Sequence, residues 1–279
     1  MKSIGIVGLG YWGNIILKTL MKMGETNIVI CEKDKSKIKD LGANFETVSD
    51  YKELKSDYVF VITPAKTHFD VCKFFLQKNK NVFCEKPLCL DMNQVKKLYN
   101  YGNNLFVDWI FLYNDHFNYI KNILPTLGNI KSIEFNRLNY GPVRNDVNAF
   151  IDLSSHDLSM LCSFFNVKKS KMTVINYKVN KKSKQDDSCI CFIDDNIKVL
   201  IRSSWENNIK NRDIIFNFEK NVLIWNDVTQ TIKINGENII VKSLKSPLEN
   251  SMEKFFLKNS RDYEYNKSIT LKVSDIITK

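Results

Sequence analysis

Short apolar runs alternate with amphipathic stretches along the first hundred residues of this 279-residue chain. The runs have the length of buried strands, and the stretches between them have the apolar spacing of helices. Continuous apolar strands separated by helices are typical of a parallel sheet covered on both faces. We therefore predict a doubly wound Rossmann α/β domain. Its predicted strands are 3–7, 27–31, 58–62, 81–84 and 105–107, with a short one near Phe45, and its predicted helices are 11–23, 35–41, 68–78 and 92–101.

The pattern changes after about residue 110, where helices become few and short strands follow one another. Turn sequences at Asp194-Asp195-Asn196 and Asn235-Gly236 favour hairpin connections, which build antiparallel sheets. We predict an α+β domain with a large, mostly antiparallel sheet, so that the domains are 1–110 and 111–279. Its predicted helices are 115–124, 148–165 and 270–277, and its predicted strands are 130–140, 172–179, 188–193, 198–205, 213–218, 222–225, 231–234 and 239–242.

The net charge of +10 raises the question of nucleic acid, but the lysines are spread along the whole chain. A biased lysine-rich composition explains the charge better than a nucleic-acid-binding face, so we expect no nucleic-acid partner. No apolar run approaches the roughly 18 residues that a membrane span needs, and we expect no membrane partner. The chain enters a strand at Ile4 without a signal-peptide pattern, which predicts a cytoplasmic protein.

Seven cysteines are scattered through apolar stretches, and their number is odd. Cys189 and Cys191 would project to one face of a strand because side chains alternate with period two. Without a second Cys/His pair nearby, such a Cys-x-Cys is weak evidence for a metal. We expect reduced thiols that fill the core, and no bound metal.

A glycine fingerprint follows the first strand and opens the first helix, which is the context that gives it meaning. Gly8 permits a tight turn, Gly10 lets backbone approach a pyrophosphate, and Gly13 lets helix and strand pack closely. The helix N-terminus offers N–H groups to phosphates. We predict a dinucleotide site here, and its contacts include the adjoining side chains Tyr11, Trp12 and Asn14.

Glu32 stands at the end of the second predicted strand, 19 residues after Gly13. A carboxylate there can accept hydrogen bonds from an adenosine ribose and would repel a 2′-phosphate. NAD(H) is therefore favoured, with NADP(H) as the alternative because the cationic Lys33 follows directly. The alternative interpretation of Glu32 is a surface glutamate just past a strand.

Two further strand ends carry candidate residues. Thr63 and Pro64 would border the dinucleotide, whereas His68 is either part of that site or a hydrogen-bonding residue at a helix start. The tripeptide Glu85-Lys86-Pro87 follows the strand 81–84. A lysine at the carboxyl end of such a strand lies where ligands bind, so Glu85 and Lys86 become candidate site residues.

Asp152 and His156 are four residues apart on a predicted helix, so their side chains share one face. A carboxylate beside an imidazole raises its basicity, as proton transfer requires. The alternative is a surface or capping pair, but the flanking apolar residues favour a buried helix, where polar groups without a role are costly.

Together these motifs resemble the Gfo/Idh/MocA oxidoreductases, the glucose–fructose oxidoreductase and inositol dehydrogenase family. The likeness covers nearly the whole chain in order and spacing. The matching segments are 8–13, 63–68, 85–87 and 152–157, and Ser204-Trp205 with Lys210-Asn211-Arg212 resembles a branch of sugar and nucleotide-sugar dehydrogenases.

The resemblance implies that Lys86 is the catalytic lysine and that Asp152 and His156 form the acid/base motif. These three residues would also bind substrate, together with Asn139 and Arg144 in the loop 139–146. The chain departs from the family after the sixth strand, where relatives often carry Gly or Asn, then an aromatic residue and an arginine. Here Asp108 begins that run, and Leu112 replaces the arginine.

The function so implied is an NAD-dependent oxidoreductase that moves a hydride between nicotinamide and a sugar carbinol or ketone. The sugar would be phosphorylated or nucleotide-linked, with C3 as the reacting carbon by resemblance to the branch. The alternatives are a reductase of a non-sugar carbonyl, imine or tetrapyrrole, and a non-catalytic NAD-binding regulator. The family resemblance also implies a homodimer or homotetramer.

Overall fold

The computed structural model describes residues 2–38 and 45–278. Its strands are β1 Ile4–Val7, β2 Ile28–Cys31, β3 Glu46–Val48, β4 Tyr58–Val61, β5 Asn81–Cys84, β6 Leu105–Val107, β7 Ile130–Tyr140, β8 Met172–Tyr177, β9 Ser188–Asp194, β10 Lys198–Ser204, β11 Glu206–Asn211, β12 Asp213–Phe218, β13 Val222–Asn226, β14 Thr231–Ile234 and β15 Glu237–Ile239. Its helices are α1 Tyr11–Lys22, α2 Lys35–Ile38, α3 Ala65–Leu76, α4 Met92–Tyr99, α5 Asp115–Ile123, α6 Ser155–Phe164, α7 Pro247–Leu257 and α8 Ser260–Ile277.

Six parallel strands form the first sheet, in the order β3-β2-β1-β4-β5-β6. Strands β1 and β5 are buried along their full length, which is why their sequences read as continuous apolar runs. The order is that of a doubly wound dinucleotide-binding domain, and the predicted fold is confirmed. The predicted helix 35–41 is observed to Ile38, and its last three residues lie outside the described part of the chain.

The two C-terminal helices belong to this first unit. Asn266 on α8 accepts from the backbone N–H of Val107 at 2.9 Å and donates to its carbonyl at 2.8 Å. These bonds satisfy the open side of the edge strand β6. The ring of Phe255 on α7 packs against Phe60 and Phe83 beneath the same sheet.

The compact units are therefore Met1–Trp109 with Leu248–Lys279, and Ile110–Pro247. The predicted division at 110/111 lies one residue beyond the first boundary. It differs for residues 248–279, which were assigned to the second domain. Aromatic packing and edge-strand pairing draw these helices to the parallel sheet, and neither interaction can be read from their local sequence.

The second unit is built on a nine-stranded sheet in the order β15-β14-β13-β12-β7-β10-β9-β8, with β11 also paired to β7. The pairing of β10 with β7 is parallel, and the other pairings are antiparallel. The prediction of a large, mostly antiparallel sheet is confirmed.

Three elements of this half differ between the prediction and the structure. The strand β11 was missed because its polar residues show no period-two alternation. The predicted helix 148–165 is a π-helical turn, Phe150–Ser154, that continues into α6. The last predicted strand, 239–242, lies two residues earlier, since the tight turn at Asn235-Gly236 starts β15 at once.

Candidate functional site

The glycine turn after β1 has a different physical reason for each of its three glycines. Gly8 has φ +99°, a conformation that side chains rarely adopt, and a Cβ there would lie 2.8 Å from the carbonyl oxygen of Ile62. A Cβ at Gly13 would lie 2.2 Å from the carbonyl oxygen of Gly8, so helix and turn touch backbone to backbone. A Cβ at Gly10 would meet nothing within 4 Å. The turn thus presents open backbone at Gly10.

Helix α1 begins directly at this open backbone. No side chain caps its N-terminus, and its first turn carries no acidic residue. Its first N–H groups are therefore oriented as an anion site requires. The Asn14 side chain donates to the carbonyl of Gly10 at 3.0 Å and steadies the turn. Tyr11 is 83% exposed, whereas Trp12 is half-buried.

Glu32 is tied to the glycine turn. Its Oε2 accepts from the backbone N–H of Leu9 at 2.7 Å, and its Oε1 accepts from the N–H of Asp34 at 3.0 Å. The side chain of Lys33 is exposed, and the ammonium of Lys37 lies 3.8 Å from Glu32 Oε2. The structure thus places Glu32 beside the turn and brings a lysine close to it, Lys37, that the sequence had not singled out.

His68 is buried and links two loops at the carboxyl edge of the sheet. Its Nε2 lies 2.7 Å from the carbonyl oxygen of Thr63, and its Nδ1 lies 2.9 Å from that of Pro87. The loop that includes Pro64 and the turn that carries Lys86 are therefore held together through one imidazole. This geometry favours the interpretation of His68 as a hydrogen-bonding residue over that of a dinucleotide contact.

Lys86 follows β5 and is 9% exposed. Its backbone N–H donates to the Oε2 of Glu85 at 3.1 Å. Glu85 lies beside Asp108, which follows β6. Burial, together with the charge of Asp108, raises the pKa of Glu85 well above its usual range. Burial likewise raises the pKa of Asp108 to about 6, against the opposing charge of Lys86.

In the second unit, Asp152 lies on the π-helical turn and is 9% exposed. Its Oδ2 accepts from the indole N–H of Trp205 at 3.2 Å, and its Oδ1 lies 3.3 Å from Nη1 of Arg144. Arg144 also forms a two-point pair with Asp146 at 2.7 and 2.9 Å. The predicted residues Asp152 and Arg144 are therefore together, and both partners favour an ionised Asp152.

His156 lies on α6, one residue after its start, and is half-buried. Its ring meets the edge of Phe111 with the centroids 5.0 Å apart. The guanidinium carbon of Arg137 lies over the Phe111 ring, 4.4 Å from its centroid. Phe111 thus contacts both the His156 imidazole and the buried Arg137 guanidinium.

Sequence analysis missed that cation. Arg137 on β7 and Asp157 on α6 form a buried two-point ion pair, with contacts of 2.6 to 3.1 Å and side chains that are 2% and 0% exposed. Burial opposes the charge of Arg137, but Asp157 outweighs it and raises the pKa of Arg137 above its usual value. The sequence signal that could have revealed this pair is the position of Arg137, which continues the period-two spacing of the inward-facing Ile133 and Phe135 on the same strand.

Asn139 is brought together with Arg212, whose guanidinium donates to the side-chain Oδ1 of Asn139. Burial, followed by the charge of Arg137, lowers the pKa of Arg212 to about 10. The sequence singled out both residues but did not pair them.

The two units therefore hold different chemistry. The first has the backbone turn, helix N-terminus and carboxylate that suit a dinucleotide, with a buried lysine at the same sheet edge. The second has a carboxylate, an imidazole and several guanidinium groups. Across residues 2–38 and 45–278, no three His, Cys, Asp or Glu side chains gather as a metal site would require. Within the same ranges, no helix has the length and apolar character of a membrane span.

Comparison with known proteins agrees with this division. Residues 2–104 match the family model of the Gfo/Idh/MocA oxidoreductases, described as an oxidoreductase family with an NAD-binding Rossmann fold. This match supports the predicted family over the first 104 residues. An uncharacterised oxidoreductase of Bacillus subtilis, YrbE, is 26% identical over 175 residues, which are 56% of this chain and 51% of that protein. The chain thus spans about half the length of this relative.

Solved structures match over nearly the whole chain. A 3-ketoreductase from Actinomadura kijaniata superposes with a TM-score of 0.84 at 16% identity, covering 98% of this chain and 96% of that one. A UDP-N-acetylglucosamine 3-dehydrogenase from Acidithiobacillus ferrooxidans superposes with a TM-score of 0.82 at 15% identity, covering 99% and 97%. At these identities the likeness establishes the fold alone.

Proposed function

Because residues 2–104 carry the NAD-binding Rossmann segment of the Gfo/Idh/MocA oxidoreductases, we propose that the protein is an NAD(P)-dependent oxidoreductase. It interconverts a carbinol and a ketone of a sugar. The observation that carries this proposal is the position of Lys86: a buried lysine at the carboxyl end of β5, in a sheet whose β1 ends in the glycine turn. Ligands of doubly wound sheets bind at that edge.

The first unit offers the groups that a dinucleotide would contact. The pyrophosphate would rest on the open backbone at Gly10 and the N-terminus of α1, and the adenosine ribose would meet Glu32. When bound, the nicotinamide supplies the hydride acceptor or donor. The remaining task of the protein is to orient the substrate and move the hydroxyl proton.

Three side chains are assigned to that task. Lys86 stabilises negative charge that develops on the substrate oxygen. His156 accepts the hydroxyl proton as a general base in its neutral form. Asp152 stays ionised, held by Trp205 and Arg144, and accepts a hydrogen bond from a substrate hydroxyl.

NAD(H) is the proposed cofactor, because the Glu32 carboxylate at the end of β2 would repel the 2′-phosphate of NADP(H). The nearby ammonium groups of Lys33 and Lys37 weaken this repulsion without removing it. Exchange of Glu32 for glutamine should therefore bring the dissociation constants of NADH and NADPH closer together.

The proposed substrate is a phosphorylated or nucleotide-linked sugar that reacts at C3. The relatives named above support this choice, since one is a dehydrogenase and the other a ketoreductase at position 3. The 3-ketoreductase was crystallised with TDP-benzene and NADP, so the same fold accommodates a nucleoside diphosphate. Arg212 and Arg144 are the cations of the second unit proposed to contact anionic groups of the substrate.

The first experiment measures NADH binding, with energy transfer from tryptophan to the nicotinamide as the signal. Mass spectrometry of ligands that co-purify then guides a screen of nucleotide sugars and sugar phosphates for a change in NADH absorbance. Turnover on a nucleotide sugar supports the proposal. Turnover only on a tetrapyrrole, imine or non-sugar ketone would contradict the substrate class, and binding without any turnover would favour a regulator.

Residue roles are tested with Lys86→Met and His156→Asn against the matched control Lys55→Met, which removes an exposed lysine of the same unit as Lys86. We expect the first two to lose about 10²–10⁴ in kcat with little change in NADH binding, as for removal of an acid/base group. Near-normal turnover in either variant contradicts its assignment.

A further inference from the structure

Two carboxyl groups lie side by side at the carboxyl edge of the parallel sheet. Strands β5 and β6 pair in parallel with Cys84 opposite Val107, so Glu85 and Asp108 are the next residues on neighbouring strands. The pairing continues through them, since the N–H of Asp108 donates to the carbonyl of Cys84 at 2.9 Å. Neighbouring positions of parallel strands project to the same face, which brings the two carboxyls together.

The surroundings supply too few hydrogen-bond donors for two carboxylates. Asp108 is 1% exposed, and its Oδ1 accepts from the Ser251 hydroxyl at 3.0 Å. Its Oδ2 is buried and accepts no hydrogen bond of normal geometry among the residues that the structure describes, although the indole N–H of Trp12 faces the same carboxyl. A buried carboxylate oxygen without a donor is costly. A proton on Glu85 would provide that donor.

The local charge points the same way. The titratable groups that face the pair are Lys86 and the Cys84 thiol, whose pKa burial raises well above its usual range. Ser251 on α7 and Trp12 on α1 face Asp108 with groups that do not titrate at neutral pH. One ammonium balances one carboxylate, and a second buried negative charge would be uncompensated.

We propose that Glu85 and Asp108 hold one proton between them at neutral pH, so that the pair presents a single negative charge to Lys86. Glu85 donates its O–H to Asp108, and Lys86 faces a single negative charge shared by the two groups. Glu85 and Asp108 are thus positioning residues that act through Lys86.

The charges of Lys86 and of the Glu85/Asp108 pair also balance during the reaction, an argument that rests on the proposed function. In carbinol oxidation the hydride leaves with its electron pair for the bound NAD⁺, and the hydroxyl proton goes to the catalytic base. The charge of Lys86 and the single charge of the pair cancel before and after this step. The oxyanion that develops is therefore the one additional negative charge at the site.

The direct test needs no substrate. Infrared difference spectra of the full chain, titrated with acid and base, should contain the C=O stretch of a buried protonated carboxyl at neutral pH. Glu85→Gln and Asp108→Asn should each abolish that band, because one neutral amide and one carboxylate then remain. The control Asp57→Asn, at an exposed carboxylate paired with Lys80, should keep it. Absence of the band in the unmodified protein overturns the proposal.

Kinetics provide the second readout, once a substrate is known. Each single variant leaves one negative charge beside Lys86, which acts in its charged form, so the alkaline limb of kcat/KM should stay at the same pH whatever happens to kcat. The double variant leaves none, and the limb should move about 1–3 pH units lower. A shift of that size in both single variants would mean two ionised carboxylates, which contradicts the proposal. The infrared experiment tests the shared proton even if no turnover is found. Failure of this proposal can therefore be distinguished from failure of the proposed function.

Discussion

Exchange of Gly13 for alanine tests the physical account of the glycine turn. The new Cβ would lie 2.2 Å from the Gly8 carbonyl oxygen, whereas real Cβ atoms essentially never approach within 3.0 Å. Both partners are backbone, so helix α1 and the turn must separate. Overpacking of this kind costs up to about 3 kcal/mol, and the helix preference of alanine over glycine returns about 1 kcal/mol. The free energy of unfolding should therefore fall by about 2 kcal/mol.

Gly10→Ala is the matched control. The Gly10 backbone, with φ −73° and ψ −167°, suits any residue, and a Cβ there meets nothing within 4 Å. Urea unfolding should show a loss below about 1 kcal/mol, the difference between glycine and alanine at a helix N-cap. The methyl group would instead obstruct the pyrophosphate, and NADH affinity should fall at least about tenfold, which is about 1.4 kcal/mol.

The two variants thus separate folding from binding. Urea denaturation followed by circular dichroism gives the stabilities, and tryptophan-to-NADH energy transfer gives the affinities. Equal losses of stability would refute the close contact at Gly13. Unchanged NADH binding by Gly10→Ala would refute the assignment of the turn to the pyrophosphate.

Three further predictions follow from buried charged and thiol groups. Asp157→Asn should lower the free energy of unfolding by about 3 kcal/mol in urea titrations, because the buried Arg137 then loses its close partner. The carboxylate of Asp227, 3.7 Å away, is a more distant partner. A loss below about 1 kcal/mol would contradict this prediction. The folded state holds the Asp108 proton until about pH 6, whereas the unfolded chain releases it near pH 3.8, so the free energy of unfolding should fall by up to about 3 kcal/mol as pH rises through that window. Asp108→Asn should flatten that pH dependence, and an identical slope in the variant would exclude Asp108 as its source. Burial raises the pKa of Cys191 to about 12, so a thiol reagent at pH 8 should label this residue slowly in the native protein and rapidly in urea, and fast native labelling would contradict its burial.

Local sequence carried the prediction of the Rossmann sheet and of the glycine turn. Strand β5 reads as a strand because four consecutive residues are buried on both faces, and Asn81–Cys84 was bounded correctly for that reason. The tight turn at Gly8 and the close packing at Gly13 were predicted from sequence as well, because backbone conformation and close approach depend on neighbours a few residues away. Strand β11 was missed because its pairing with β7, not its composition, makes it a strand.

Residue identity and spacing by themselves determined the class of fold, the dinucleotide turn and the place of Lys86 at a strand end, since these depend on local geometry and periodicity. Only the tertiary structure decided which distant groups meet. Asn266 satisfies the edge strand β6 from the far end of the chain, and Asp157 neutralises Arg137 across the second unit. Burial then decides the charge states of Glu85 and Asp108, because desolvation and the number of available donors depend on packing that no short stretch of sequence encodes.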